Sequence, residues 1–476
     1  MRLYYTAEQI RTAEAPLLAG LPDGLLMRRA ATGLANVIAV ELRARTGGLA
    51  GRSVCAVVGS GDNGGDALWA ATFLRRRGVA AAAVLLDPDR THPKALAAFR
   101  AAGGRVVRSV PAATDLVIDG VVGISGRGPL RPAAAAVFVA VEQAGVPVVA
   151  VDIPSGVDVH TGAITGPAVR ASLTVTFGGL KPVHALADCG RVELVDIGLD
   201  LPGTNLVGLD AADVAALWPL PGPRDDKYTQ GVVGILAGSA DYPGAAVLCS
   251  GAAVAATSAM VRYAGTAAAQ VISHWPEVVA VPDALSAGKV QAWAVGPGLG
   301  LGEAALTALT FALNTDLPVI VDADGLTLLA EHPHLVTRRA APTVLTPHAG
   351  EYARLNDGQP PGEDRVSAAR RLAEAFGATV LLKGNVTVIA DPGDQGRTFL
   401  NPAGASWAAT AGSGDVLTGI IGALLAAGLP AIEAAAAAAF VHARAANASA
   451  ADPGPAPAPT SASRILGHIR SALASL

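Results

Sequence analysis

Cysteine is scarce in this chain and never paired in sequence. Cys55, Cys189 and Cys249 lie far apart among 476 residues. With no CxxC spacing, neither a zinc ribbon nor a thioredoxin-type redox pair is encoded. The three thiols read as small apolar fillers of a reduced, cytoplasmic protein. Lysine is nearly as rare, with Lys94, Lys181, Lys227, Lys289 and Lys383 as the full set. The formal net charge is -4, and there is no polybasic run. Nucleic-acid and anionic-membrane binding are therefore not expected. None of the nine histidines falls in an HExxH pattern, which removes the zinc-hydrolase class. The opening MRLYYTAEQIRTAEAP carries Glu8 and Glu14 and has no continuous apolar core, so it is not a signal peptide. The most apolar stretch, 419–441, is interrupted by Gly and Pro and is read as buried helix rather than as a membrane span.

What remains is 51% hydrophobic and 16% charged, enough apolar material for two folded domains and too little charge for disorder. Ala, Gly and Pro are so abundant that Ala-rich stretches carry no functional information. Amphipathic helices are expected over 5–19 and 24–45. A strand over 53–58 then runs through the glycine-rich GSGDNGGD (59–66) into a helix ending near Arg77 and a second strand over 79–86. That is a βαβ unit. The rhythm continues with DLVIDG (115–120), VPVVAVDIPSGVD (146–158) and SLTVTFGG (172–179), implying a parallel sheet with helices on both faces. Around 200–226 the chain turns rich in Pro, Gly and charge, and the domain boundary is placed there, giving domains 1–216 and 217–476. A second series follows: GVVGILAGSADYPGA (231–245), AWAVGPGLG (292–300), PVIVDADGL (318–326), TVLTPHAGE (343–351), TVLLKGNVTVIA (379–390) and ATAGSGDVLTGIIGALLAAG (409–428). The second half is again α/β. Its Pro/Ala/Ser segment 450–462 reads as a loop before a last helix.

Polar residues cluster beyond the strand ends, where open α/β sheets bind ligands. GSGDNGGD is neither GxGxxG nor a Walker loop, and its acids repel phosphate. It reads either as a tight turn capping a helix or as a site for a cation or for sugar hydroxyls. Asn63, Asp119 and Ser155 offer hard oxygens from three loops, which suit a hard cation. Each alone could equally cap a turn. GSGDVLTG (412–419) is the sharpest signal. Its glycines expose N–H groups at a helix start and make an anion hole, with Asp415 beside it as a base. The competing view is an Asp helix cap. LLKGN places Lys383 after a buried strand. It reads as a phosphate ligand, with Thr387 assisting, or as a hairpin turn with a snorkelling lysine. His348 in TPHAGE, taken alone, reads as structural.

Together these motifs resemble the bifunctional NAD(P)H-hydrate repair enzymes across almost the whole chain. The first half, with NGGD, VVGISGRG and DIPSGVD, is similar to NAD(P)H-hydrate epimerases. The second, with AGSADYPGA, VGPGLG, VDADGL, TPHAGE, LLKGN and GSGDVLTG, is similar to ribokinase-like hydrate dehydratases. The resemblance implies a Rossmann-like three-layer domain followed by a ribokinase-like α/β domain. It implies epimerisation of the R and S hydrates of NADH and NADPH, then dehydration of the S hydrate with ADP (ATP in eukaryotic members), giving AMP and phosphate. The implied cofactors are K+ in the epimerase and Mg2+ with the nucleotide, and the implied assembly is a homo-oligomer that no residue here specifies.

Carried over position by position, the resemblance makes Asn63, Asp119 and Ser155 the potassium ligands. It makes Asp62, Asn63, Gly64, Gly65, Asp66, Gly123, Ile124, Ser125, Gly126, Arg127, Gly128, Pro129 and Asp152 the hydrate site of the epimerase. Ala245, Gly298, His348 and Asp415 match the hydrate site of the dehydratase. Lys383, Gly384, Asn385, Val386, Thr387 and Gly414 match its nucleotide site. Asp415 and Asp152 are the expected proton-transfer groups. The chain departs from the family pattern at Asp62 and Ala67 in the first loop, at Val121–Val122, and at Ser413 in place of a threonine. Two rivals are weighed against this expectation: a vitamin-type small-molecule kinase, and an N-terminal domain that binds ligand without turnover.

Overall fold

The computed structural model describes residues 1–124, 126, 128–393 and 396–476. It divides into two compact units, Leu3–Thr204 and Asn205–Leu476, with Met1 and Arg2 belonging to the latter.

After a short β1 (Arg2–Leu3), the strands of the first unit are β2 (Ser53–Val58), β3 (Ala80–Leu85), β4 (Arg105–Val107), β5 (Leu116–Gly120), β6 (Val148–Val151), β7 (Leu173–Phe177) and β8 (Arg191–Val195). They form one sheet in the order β4-β3-β2-β5-β6-β7-β8, every pair parallel. Strand residues alternate between two cores. Val54, Ala56, Val58, Leu116 and Ile118 pack with helices Leu25–Thr46, Asp62–Arg76 and Pro93–Ala101. Val57, Val117 and Val148 pack with Pro132–Gln143 on the other face. This is the three-layer arrangement expected from the near-continuous apolar strands. The order reverses at β2, which pairs with β3 on one side and β5 on the other. The crevice beyond such a switch point is where ligands bind.

The strands of the second unit are β9 (Leu206–Gly208), β10 (Val232–Leu236), β11 (Met260–Ala264), β12 (Val279–Val281), β13 (Ala292–Val295), β14 (Val319–Val321), β15 (Thr343–Leu345), β16 (Thr379–Leu382), β17 (Val386–Ala390) and β18 (Thr398–Pro402). The sheet runs β1-β9-β18-β17-β16-β15-β14-β13-β10-β11-β12. It is parallel from β12 through β16 and turns antiparallel at the β16–β17 and β17–β18 pairs. Leu206 and Val207 pair with Thr398 and Phe399. Residues 205–216, placed with the first domain on composition, group with the second compact unit: backbone pairing draws β9 into its sheet although the surrounding sequence reads as linker.

Helix Ser413–Ala426 is buried from Val416 to Ala426. Its glycines let neighbours approach: a Cβ on Gly419 would lie 2.2 Å from the Cys249 carbonyl oxygen, and one on Gly422 2.9 Å from Ala294. The apolar 419–441 stretch is thus core, and among the described residues no helix is long and apolar enough to cross a membrane.

Candidate active sites

In the first unit, the strand ends gather the expected acids. NGGD is not a loop but the first turn of helix Asp62–Arg76. A Cβ on Gly64 would lie 2.3 Å from the Gly59 carbonyl oxygen, and one on Gly65 2.9 Å from Met27. The glycines are there because the helix starts pressed against the turn that leads into it. Asn63 Nδ2 donates to the Val151 carbonyl at 2.6 Å. Its Oδ1 faces Gly123, where a Cβ would lie only 2.0 Å away. Asp119, fully buried at the end of β5, accepts from Ser155 N (2.8 Å), Ser155 Oγ (2.7 Å) and Val121 N (3.2 Å). Burial pushes its carboxyl up to about 6, against the pull of those donors. Val122 N in turn donates to Ser155 Oγ at 2.9 Å. A carboxylate held in the interior with hydroxyl and amide oxygens nearby is the donor chemistry of a hard cation.

Asp152, just past β6, has a φ of 69°, a left-handed conformation that a non-glycine residue holds only when its surroundings impose it. Its Oδ1 accepts from Lys181 Nζ at 2.6 Å and Thr176 Oγ1 at 2.9 Å. Lys181 is 1% exposed and also reaches Thr176 Oγ1 (2.8 Å) and the Phe177 carbonyl (3.2 Å). Burial raises Asp152, but the Lys181 charge, its hydrogen bond and that of Thr176 together more than offset it and hold the carboxyl below its usual range. His184 braces the turn from behind. Its Nδ1 accepts from Lys181 N at 2.9 Å, which leaves Nε2 to donate to the Asp152 carbonyl at 2.8 Å. Burial lowers this histidine to about 4, so it is a neutral strut.

Asp62, Asn63, Asp66, Ile124, Asp152, Lys181 and Glu14 line one cavity of about 320 Å³. Asp66 is buried there with Oδ1 unpartnered, and burial followed by repulsion from Asp62 holds its carboxyl well above the ordinary value. Burial also raises Glu14, which comes from helix Ala7–Gly20. Gly123, Gly126, Gly128 and Pro129 stand outside this lining. Ser125 and Arg127 lie outside the described residues.

In the second unit, a cavity of about 540 Å³ is lined by His348, Lys383, Gly384, Asn385, Thr387, Gly414 and Asp415, together with Asp322, Glu351 and His442. Gly412, at a φ of 81°, caps helix Ser413–Ala426 and puts Asp415 in its first turn. Burial, then repulsion from Asp322, pushes Asp415 up to about 7. Lys383 sits in the β16–β17 hairpin, so the turn reading holds, but the lysine does not snorkel. Its Nζ pairs with Asp322 Oδ1 at 2.7 Å and Glu351 Oε2 at 3.5 Å. Thr418 Oγ1 donates to Asp322 Oδ2 at 2.8 Å, tying helix Ser413–Ala426 to the end of β14. A Cβ on Gly414 would lie 3.4 Å from Asp322 Oδ2 and 3.6 Å from Lys383 Nζ, ordinary contact distances that place this residue beside the ion pair. His348 caps helix Ala349–Leu355: its Nδ1 accepts from Gly350 N (2.9 Å) and Glu351 N (3.3 Å), and Glu351 answers onto His348 N (2.8 Å). The histidine thus caps a helix and lines the cavity as well. Ala245 and Gly298 contact one another outside the lining of this cavity, with Gly298 at a φ of 63°. Val386 starts β17, also outside the lining.

Comparison with known proteins follows the same division. Residues 24–183 match the family model described as YjeF-related protein N-terminus, and residues 233–468 match that described as NAD(P)H-hydrate dehydratase. The bifunctional NAD(P)H-hydrate repair enzyme Nnr of Mycobacterium tuberculosis is 77% identical over 476 residues, covering all of both chains. The chain belongs to the bifunctional NAD(P)H-hydrate repair enzyme family. The Corynebacterium glutamicum relative of that name is 38% identical, covering 90% of this chain and 87% of its own. A ribokinase-like superfamily protein from Enterococcus faecalis superposes with a TM-score of 0.50 at 21% identity, over 58% of this chain and 98% of its own, which shows the ribokinase-like fold.

Sequence reasoning did not single out Lys181, Glu14, Asp322, Glu351 or His442 as site residues: Asp322 and Glu351 stand within the VDADGL and TPHAGE motifs without being picked from them, and Lys181, Glu14 and His442 lie outside the polar loops that drew notice. One signal was present. Lys181 is one of five lysines and follows a buried strand, the same scarcity that drew notice to Lys383.

Proposed function

We propose that this chain restores hydrated NADH and NADPH. The first unit interconverts the R and S hydrates, and the second removes water from the S hydrate using a nucleoside diphosphate. The observation that carries the reading is the second-unit cavity, where an acid of raised proton affinity, Asp415, stands beside a helix N-terminus and a half-buried lysine. Identity of 77% over the full length to a relative named for this repair supports it. A vitamin-type kinase has the same anion hole but releases a stable phosphorylated product, and the repair relatives do not favour it.

In this mechanism Asp415 takes the proton of the ring hydroxyl as that oxygen attacks the terminal phosphoryl of ADP. The N–H groups of the 412–414 turn hold the phosphoryl oxygens, and Lys383 with Asn385 and Thr387 holds the remainder of the nucleotide. AMP leaves. The phosphorylated ring oxygen then departs as phosphate, and loss of the adjacent ring proton restores the double bond of NAD(P)H. Magnesium bound with the nucleotide would offset phosphoryl charge, and the carboxylates of Asp322 and Glu351 are hard donors at the wall to hold it. ATP in place of ADP would leave ADP instead of AMP.

Asp415 must be ionised to act, and burial has raised it. The rate of dehydration is therefore expected to climb as pH rises toward about 7 and to level above it. A kcat/KM profile for the S hydrate with ADP checks this; a rate already level at pH 5 would remove Asp415 as the base.

For the epimerase, Asp119, Ser155 and Asn63 are assigned to K+. The buried Asp119 carboxyl and the hydrogen bonds it accepts from Ser155 N and Oγ support the assignment, since oxygen donors of this kind suit a hard cation. Ser155→Ala is expected to raise the K+ concentration for half-maximal epimerisation roughly tenfold, about 1.4 kcal/mol of cation binding. A K+ titration of R-to-S conversion tests it, and a wild-type rate independent of K+ would overturn the assignment. The three free, buried thiols fit a cytoplasmic setting.

A further inference from the structure

The first-unit cavity brings together carboxyl groups in opposite proton states, and epimerisation uses one of each. The hydrate is a hemiaminal: its stereocentre carries the hydroxyl and is bonded to the ring nitrogen. Inverting it requires one group to remove a proton and another to supply one. Asp152 is suited to removal, because Lys181 keeps it ionised. Lys181 cannot serve a second carboxylate, since its three donors are already directed to Asp152, Thr176 and Phe177. Asp66 therefore lies buried in the same cavity without a cation, and its Oδ1 meets no partner. The groups that face it are Asp62 on its own helix, Glu14 from helix Ala7–Gly20, Asp23 and His92 from loops, and Asp152 and Lys181 across the cavity. Three of these, Asp62, Asp152 and Glu14, act on it as repelling negative charges.

We propose that Asp66 is the proton donor of the epimerase, acting on the ring nitrogen while Asp152 takes the proton of the hydroxyl. This rests on the epimerase reading above and assigns Asp66 a chemical step. As Asp152 removes the hydroxyl proton, the oxygen forms a carbonyl and the carbon–nitrogen bond breaks. Its electron pair goes to the nitrogen, which takes the Asp66 proton. The open-chain aldehyde turns its other face to the nitrogen, which adds back. The nitrogen returns its proton to Asp66 while Asp152 returns the other to the oxygen. Nothing is consumed, and only the configuration changes. Two carboxyl groups pushed to different proton affinities by their surroundings are what such a step needs. The buried position of Asp66, one turn into helix Asp62–Arg76, fixes it relative to Asn63 and the cavity.

The test is R-to-S conversion by the purified full-length chain with K+ and no nucleotide, so that the dehydratase is silent, with the two hydrates separated by chromatography. Asp66→Asn keeps size and polarity but has no acidic proton. Its kcat is expected to fall about 100-fold or more, with KM within about threefold of wild type and nucleotide-dependent dehydration of pure S hydrate unchanged. Asp66→Glu is expected to recover part of the lost rate. A kcat for Asp66→Asn within about threefold of wild type overturns the proposal. Should that variant not fold, the wild-type pH profile decides. The rate is expected to fall on the alkaline side as Asp66 loses its proton, and a rate level up to pH ~10 overturns the assignment. Absence of epimerisation by the wild-type chain would instead defeat the epimerase reading itself.

Discussion

Asp415→Asn is expected to abolish dehydration while leaving the nucleotide bound. The carboxylate stands in the first turn of helix Ser413–Ala426, near the N–H groups of Gly412 and Gly414, and it is the acid there whose proton affinity burial and Asp322 have raised into the neutral range. An amide of the same shape preserves the turn but cannot accept the hydroxyl proton, so the loss falls on the chemical step. A positioned general base contributes on the order of 10²–10⁴-fold. A loss in that range should appear in kcat for the S hydrate. The proposed nucleotide contacts, Lys383, Asn385 and Thr387, are untouched by the substitution, so ADP affinity measured by calorimetry should move little. Loss of ADP binding together with activity would instead make Asp415 a structural cap of its helix, the competing view of the same residue. Retained turnover would remove it from the chemistry altogether.

Legibility in the sequence followed contiguity. GSGDVLTG drew notice because its glycines, its acid and a buried helix are consecutive, and the apolar strands before each polar loop pointed to the α/β sheets. Lys383 was visible but ambiguous, since a hairpin lysine looks alike whether it snorkels or pairs. Its partners Asp322 and Glu351 come from other strand ends, and no local pattern joins them. NGGD was read as a loop because four small or polar residues in succession disfavour a helix interior. The structure starts the helix there, since packing against Gly59 requires the absence of side chains more than propensity forbids it. The strand β9 was hidden for the opposite reason: three residues between Pro and Asp carry no strand period, and only the exposed edge of β18 makes them one.

Lys181→Met is expected to produce the largest loss of stability of any single substitution considered, confined to the first unit. The ammonium is buried with three directed donors, and its removal leaves the Asp152 carboxylate in the interior with only Thr176 Oγ1. Breaking a buried ion pair by deleting one partner costs about 3–5 kcal/mol, because the surviving charge is stranded. Methionine fills most of the volume, so the loss is one of charge and not of packing. Hydrogen exchange read by mass spectrometry should show β7 amides losing protection relative to β10 amides of the same chain. The loss should ease at low pH. With Lys181 present the Asp152 carboxyl is lowered and contributes stability that is full above its unfolded value and fades as pH falls through its folded value. Without Lys181, burial raises that carboxyl, so the sign reverses and the variant becomes relatively more stable once Asp152 is protonated. Lys181→Met with Asp152→Asn should therefore be more stable than Lys181→Met alone at neutral pH, because the second substitution removes the stranded charge. Both variants should lack epimerisation and keep ADP-dependent dehydration of S hydrate. If the double variant proved no more stable than the single one, the lysine would be holding β7 and its turn through Thr176 and Phe177 rather than neutralising Asp152. The ionised state assigned to the epimerase base would then need another source.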